Sequence, residues 1–253
     1  MLQIEFAKIF KRKFNYLFGI ITLLIGSFLS YKLNSISQFF EISEIETIFN
    51  VIIKIILVLV IFIMGINYIY SYREDYKTKV VTLLEVRKVK SVRDFFAVFA
   101  NLVYFFLYNI VVLLGVFTVL FLKKRDILVK IVRDLLTNGH LLTYIVQLFL
   151  LLLFANLIFL LALSLFNNTN LAISLSLLYF IGSGVLVKVL SERLPEIYGN
   201  LLNNSIFNVF DKAFNSLDYN VTFEINTFLP LGLNIIGLVI VIFIIKIFKK
   251  VID

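Results

Sequence analysis

The side chains able to do covalent or metal chemistry are few in this chain and far apart. Cysteine is absent and histidine occurs once, at His140, which removes disulfides, thiolate nucleophiles and the familiar His and Cys metal clusters. None of the ten glycines is followed by Lys-Ser or Lys-Thr, so the G-x-x-x-x-G-K-[ST] loop that cradles nucleotide phosphates is missing. The expectation is a chain with no catalytic residue, no metal site and no bound cofactor, unable to hydrolyse ATP by itself. Its long apolar cores contain no Asp or Glu, the groups on which proton-coupled carriers and intramembrane proteases usually rest.

What remains is charge set beside apolar sequence. Lys54 and Lys188 lie within or at the edge of apolar stretches. They either snorkel to nearby headgroups or face a conduit and meet an anionic group. The richest piece is segment 71–94, SYREDYKTKVVTLLEVRKVKSVRD, with eleven charges. It keeps an apolar stripe of Tyr76, Val80, Leu83 and Leu84 at i, i+4, i+7 and i+8. A connecting loop has no need of that stripe, so it reads as a short amphipathic helix that presents charge and apolar anchors to a partner or to the inner leaflet. The plainer reading is a solvated basic loop.

These residues need elements to position them, and composition dictates which. Hydrophobic residues make up 61% of the chain and charged residues 16%, and the mean hydropathy is +1.00, outside what a water-facing surface permits. A lipid-spanning backbone must satisfy its own polar groups as helices or as a closed barrel, and long continuous apolar runs select helices. A span needs about 20 apolar residues. Five runs qualify, 15–31, 48–70, 95–122, 141–166 and 229–247, and a softer sixth, 171–190, is rich in small residues. The expectation is an all-α polytopic membrane protein, one transmembrane domain over 1–253 with six spans and an interfacial helix at 1–14. Pro230 is placed at the start of the sixth span, where its missing N–H costs nothing.

The Lys and Arg distribution orients the chain. With the N-terminus inside, the inner segments hold fourteen and the outer segments eight, so both termini are expected in the cytoplasm of a cell whose plasma membrane the chain crosses. The formal charge of +8 is assigned to this orientation and not to nucleic acid. Near the N-terminus Leu2, Phe6, Ile9 and Phe10 share one face while Lys8, Lys11 and Arg12 project from the other, a pattern suited to lying flat in the headgroup layer. In the outer segment 191–228, Ile206, Phe207, Val209, Phe210, Ala213, Phe214 and Leu217 form a second stripe, expected to fold back onto the outer membrane face.

A flat basic N-terminal helix, six spans, a charged helix-bearing loop between the second and third, and a long helical outer loop before the sixth resemble the permease subunit of type-2 ATP-binding-cassette exporters. That family often carries an acidic residue, a Gly-Thr pair, paired leucines and an arginine in the loop, and Glu74, Thr78, Leu83, Leu84 and Arg87 follow that order. Lys77 stands where the glycine is common, and no proline precedes the arginine. The resemblance implies two separate ATPase subunits carrying ATP and Mg, docked on loop 71–94 through Leu83 and Leu84 with Glu85 and Arg87 at the rim. It implies also a second permease chain, identical or related. More narrowly, the size and the Phe, Ile, Lys and Asn bias are similar to permeases of low-GC Gram-positive bacteria that export amphipathic peptides, such as the staphylococcal exporter of phenol-soluble modulins. Phe95 and Phe99 at the inner end of the third span, with Lys54, would offer contacts along a conduit for peptides or lipids, although core packing accounts for such aromatics equally well. Ser174, Ser176, Gly182 and Gly184 allow close helix approach and are expected at the contact between two copies. The rival readings are an ATP-independent transporter or channel, and a membrane-bound immunity protein that sequesters a toxin.

Overall fold

The computed structural model describes residues 2–36, 42–77, 90–123, 125–137, 140–166, 168–193, 195–218 and 225–252. The helices are α1 (Leu2–Lys11), α2 (Lys13–Ile36), α3 (Ile42–Lys77), α4 (Lys90–Lys123), α5 (Arg125–Leu136), α6 (His140–Leu165), α7 (Thr169–Ser191), α8 (Glu196–Asn203), α9 (Ile206–Asn215) and α10 (Ile225–Ile252). Among the described residues there is no strand. Six helices contain apolar stretches long enough to cross a bilayer: Lys13–Lys32, Thr47–Asp75, Val92–Leu122, His140–Leu165, Thr169–Ser191 and Phe228–Phe248. The chain is an all-α polytopic membrane protein.

α6 is the centre. Leu148, Leu151, Leu152, Phe154, Ala155 and Phe159 are each at most 1% exposed, because α3, α4, α7, α9 and α10 all pack against this one helix. α7 and α10 instead leave rows of leucine, isoleucine and valine on the outside, as expected where lipid takes the place of a core. α3 and α4 are long, 36 and 34 residues. At 1.5 Å per residue each is on the order of 50 Å, well beyond a hydrocarbon core of roughly 30 Å, so both extend past the hydrocarbon layer.

Three expectations change. α1 does not simply lay its apolar face on lipid: Glu5 and Ile9 are buried, Ile4 and Phe10 are more than half exposed, and the polar Lys8 and Arg12 turn toward the bundle to meet Asp75 and Glu74. The reason is that buried carboxylates on α1 and α3 require cations beside them. α9 is a helix, but its stripe covers protein: Val209, Phe210 and Ala213 are buried, with Phe210 at 4.8 Å from the ring of Phe180 and 6.0 Å from that of Phe154. Those rings on α6 and α7 offer aromatic contacts that lipid does not. Pro230 lies inside α10 because that helix begins earlier, at Ile225.

α5 forms a helix that the basic run from Lys123 to Arg133 obscures in the sequence. Ile131 and Leu135 are buried and Leu128 packs against the core, the i, i+3, i+7 stripe of an amphipathic surface helix.

Two glycines mark where helices approach most closely. A Cβ on Gly65 of α3 would lie 2.1 Å from the ring of Phe159, and one on Gly184 of α7 would lie 2.7 Å from the Asp211 carboxyl carbon. One on Gly182 meets nothing within 4 Å. Gly65→Ala is expected to lower stability by about 1–3 kcal/mol through overpacking, while Gly182→Ala leaves the folded chain unchanged. Thermal unfolding of both variants in the same detergent micelle checks the contrast.

Candidate functional site

The site is built where the ends of four helices bring charge together. Asp75 lies two residues before the end of α3, Arg93 and Asp94 near the start of α4, Glu5 and Lys8 on α1, and Lys246 near the end of α10. Arg93 donates to Asp75 and, at 3.1 Å, to Asp94. Lys8 bridges Glu5 and Asp75 at 2.8 Å each, and Lys246 donates to Asp94. Arg93, Asp75 and Asp94 have side chains no more than 5% exposed, and the guanidinium stacks 4.8 Å from the Tyr72 ring. Three carboxylates thus meet three cations. Charge balance is required there, because an ion removed from water is tolerated only when paired and hydrogen-bonded.

A chain of amides leads from this cluster into the apolar bundle. Asn15 of α2 donates to the Asn67 side-chain oxygen at 3.1 Å. Asn67 donates to Asn101 at 3.0 Å, and Asn101 to Asn156 at 3.1 Å. Asn156 ends the row on the Val98 carbonyl oxygen at 2.9 Å. All four are at most 2% exposed. α2, α3, α4 and α6 are thereby tied by hydrogen bonds that have no water to compete with them. Arg12, at the break between α1 and α2, donates to the Asn67 carbonyl oxygen at 2.8 Å and to Glu74 at 2.6 Å. On its outer side the row opens to a cavity of about 620 Å3.

Sequence candidates are distributed unevenly over this arrangement. Glu74 is described and paired with Arg12. Thr78, Leu83, Leu84, Glu85 and Arg87 lie outside the described residues. Of the N-terminal set, Lys8 and Arg12 enter the ionic cluster or its border, Lys11 stays exposed, and Phe10 packs edge-on to Tyr104 at 5.2 Å while Phe6 is half-buried. The conduit residues do not come together. Lys54 donates to the Asn215 carbonyl oxygen at 2.7 Å, at the C-terminal end of α9, where a cation complements the helix dipole. Phe95 and Phe99 stack on each other at 6.4 Å on the outer surface. Lys188 is exposed. Ser174 is exposed, Ser176 is buried and donates to the Ala172 carbonyl oxygen at 2.6 Å, and Gly184 accommodates Asp211 of its own chain.

Asp75, Arg93 and Asp94 belong to a segment whose composition reads as loop charge, and the asparagine row lies outside every pattern taken from the sequence. The available signal was single asparagines inside otherwise apolar spans, since intramembrane polar groups are costly unless partnered. Toward the other end of α6, the buried atoms His140 Nδ1, Tyr144 Oη and both amide atoms of Gln147 have no hydrogen-bond partner among the described residues. Among the described residues no three His, Asp or Glu side chains are grouped so as to hold a metal ion.

Removing Arg93 leaves two buried carboxylates short of a cation. Arg93→Gln is expected to cost about 3–5 kcal/mol, and Asp75→Asn a similar amount. The double variant should lose less than the sum, because the two substitutions remove one shared interaction. Denaturant titration of the three variants in micelles reads the coupling directly. In comparison with known proteins, the chain matches no family model, no curated protein and no solved structure.

Proposed function

We propose that this membrane-embedded protein is the permease subunit of an ATP-driven exporter, moving hydrophobic or amphipathic peptides out of the cell. Two separate ATPase subunits, holding ATP and Mg, dock on the segment between α3 and α4, and a second copy or relative of the chain completes the path. In this reading the end carrying α1, residues 78–89 and the C-terminal part of α10 is cytoplasmic, in the plasma membrane of a low-GC Gram-positive bacterium. The chain binds no cofactor of its own.

One observation carries the reading: the ionic cluster joins the two helix ends that flank residues 78–89 to each other and to α1 and α10. Asp75 lies two residues before the end of α3 and Arg93 three after the start of α4, and their pairing also holds Lys8 of α1 and, through Asp94, Lys246 of α10. A push on the loop therefore reaches four helices at once instead of bending a solvated connection. A domain closing beneath would shift them as a unit, and two discrete arrangements of the bundle would alternate access. The exposed apolar face of α7, open around Gly182, leaves room for a second permease chain. The buried asparagine row favours a second reading, an ATP-independent carrier or channel, because amides spaced along a bundle can relay a polar solute.

Leu83 and Leu84 are the apolar anchors of the proposed docking contact, each favourable by roughly 1.5–3 kcal/mol when buried. Leu83→Asp with Leu84→Asp is expected to leave the spans inserted and to abolish co-purification with the ATPase and substrate-stimulated hydrolysis in nanodiscs. Arg87→Ala at a solvated rim should cost on the order of 1 kcal/mol or less. Normal coupling in the double aspartate variant, or flux through the purified chain alone under an ion gradient, rejects the exporter reading.

A further inference from the structure

The cavity of about 620 Å3 lies between the α1–α2 break, the last turns of α3 and the start of α7. Its polar wall carries Arg12, Arg73 and Glu74, a surplus of one positive charge. Both guanidiniums are held in place from behind. Arg12 is fixed by Asn67 and Glu74, and Arg73 donates one Nη to the Phe166 carbonyl oxygen at 2.8 Å, just past the end of α6. The Arg73 side chain is partly exposed and lines the cavity, and a guanidinium fork there suits two oxygens of an oxyanion. Thr169 and Asn170 line the same space. They open α7, so the positive end of a 23-residue helix adds to the field.

The rest of the wall is apolar. Phe14, Ile66 and Tyr70 border the cavity, and Phe14 and Tyr70 are also exposed on the outside of the bundle. From Phe14 an exposed row of Leu17, Ile21 and Leu24 runs along α2, at the i, i+3, i+7, i+10 spacing of one helix face. On α7, Leu171, Leu175 and Leu178 are exposed likewise. A ligand that fits all of this has an anionic head for the arginines and apolar chains for the grooves leading away from them.

We propose that the cavity is a phosphate-binding site occupied by the headgroup of an anionic phospholipid, with the acyl chains lying along the exposed face of α2. The recognised chemistry is a phosphate oxyanion, and the bilayer leaflet at the level of the α1–α2 break supplies it in covalent continuity with the apolar chain that the outer rows accommodate. Arg73 is the principal ligand, because Arg12 already serves Asn67 and Glu74. The site goes beyond the exporter reading and stands without it, since it needs only the membrane and the residues named.

The test uses the full chain in nanodiscs and micelles. Native mass spectrometry is expected to show phosphatidylglycerol retained in preference to phosphatidylcholine. Arg73→Gln should lower that retention about tenfold, the loss of roughly one charge-assisted hydrogen bond, with Arg73→Lys in between and Lys212→Gln, at the opposite end, unchanged. Because the chain contains no tryptophan, Phe14→Trp supplies a single tryptophan, excited selectively over the tyrosines, and keeps both arginines. Its emission should be quenched more strongly by brominated phosphatidylglycerol than by brominated phosphatidylcholine, and inorganic phosphate at about 10 mM, added at a constant ionic strength of about 0.15 M so that screening does not change, should not relieve the quenching. Equal retention or equal quenching by the two lipids overturns the proposal. Full retention by Arg73→Gln does the same, and displacement by inorganic phosphate assigns the site to the free ion and overturns the lipid.

Discussion

Arg93 between Asp75 and Asp94 is the constraint around which the loop end of the molecule is arranged. A guanidinium 3% exposed, in contact with two carboxylates 5% exposed, is stable only while every member keeps its partner, because the cost of stripping water from ions is recovered through close pairing. With Glu5, which pairs with Lys8, three carboxylates would outweigh one arginine. Lys8 and Lys246 correct the imbalance, and in doing so they draw α1 and the end of α10 onto α3 and α4. The position of the N-terminal helix and the shared side of the two termini are thus consequences of electrostatics more than of apolar area.

The asparagine row extends the same logic into the bundle. Between helices in lipid, apolar burial gives little preference for one neighbour over another, since hydrocarbon tails are as apolar as leucine. Directional bonds then specify which faces meet. Asn67, Asn101 and Asn156 each donate to the next member or to a backbone carbonyl oxygen, so α3, α4 and α6 are set in register at one level of the membrane. Small residues complete the fit nearby, with Gly65 lying against Phe159 of α6.

The opposite end is held by different means. Aromatic rings from α6, α7 and α9 form a nest around Phe210. Lys54 reaches the last carbonyl of α9. One end is therefore a charged lattice tied to the ends of α1, α3, α4 and α10, and the other an apolar cap laid over α6 and α7.

The number of spans, their approximate limits and the helical class were legible from residue order alone, because crossing a bilayer depends on the length and continuity of apolar sequence, a local property. The stripe at 206–217 likewise announced a helix. What covers that stripe was not legible: lipid and the rings of Phe154 and Phe180 look equally apolar from the sequence, and only packing distinguishes them. The charges at 71–94 show the same limit. Asp75 and Arg93 stand eighteen positions apart in a segment whose composition reads as solvated, and nothing local tells them from Glu74, whose side chain is 66% exposed. Whether a polar residue is surface or core depends on a partner brought from elsewhere in the chain, 67 residues away for Lys8 and Asp75 and 152 for Lys246 and Asp94. Apolar length therefore determined how many times this chain crosses the membrane, and the pairing of distant charges and amides, which only the tertiary structure decided, settled which faces its helices turn to one another.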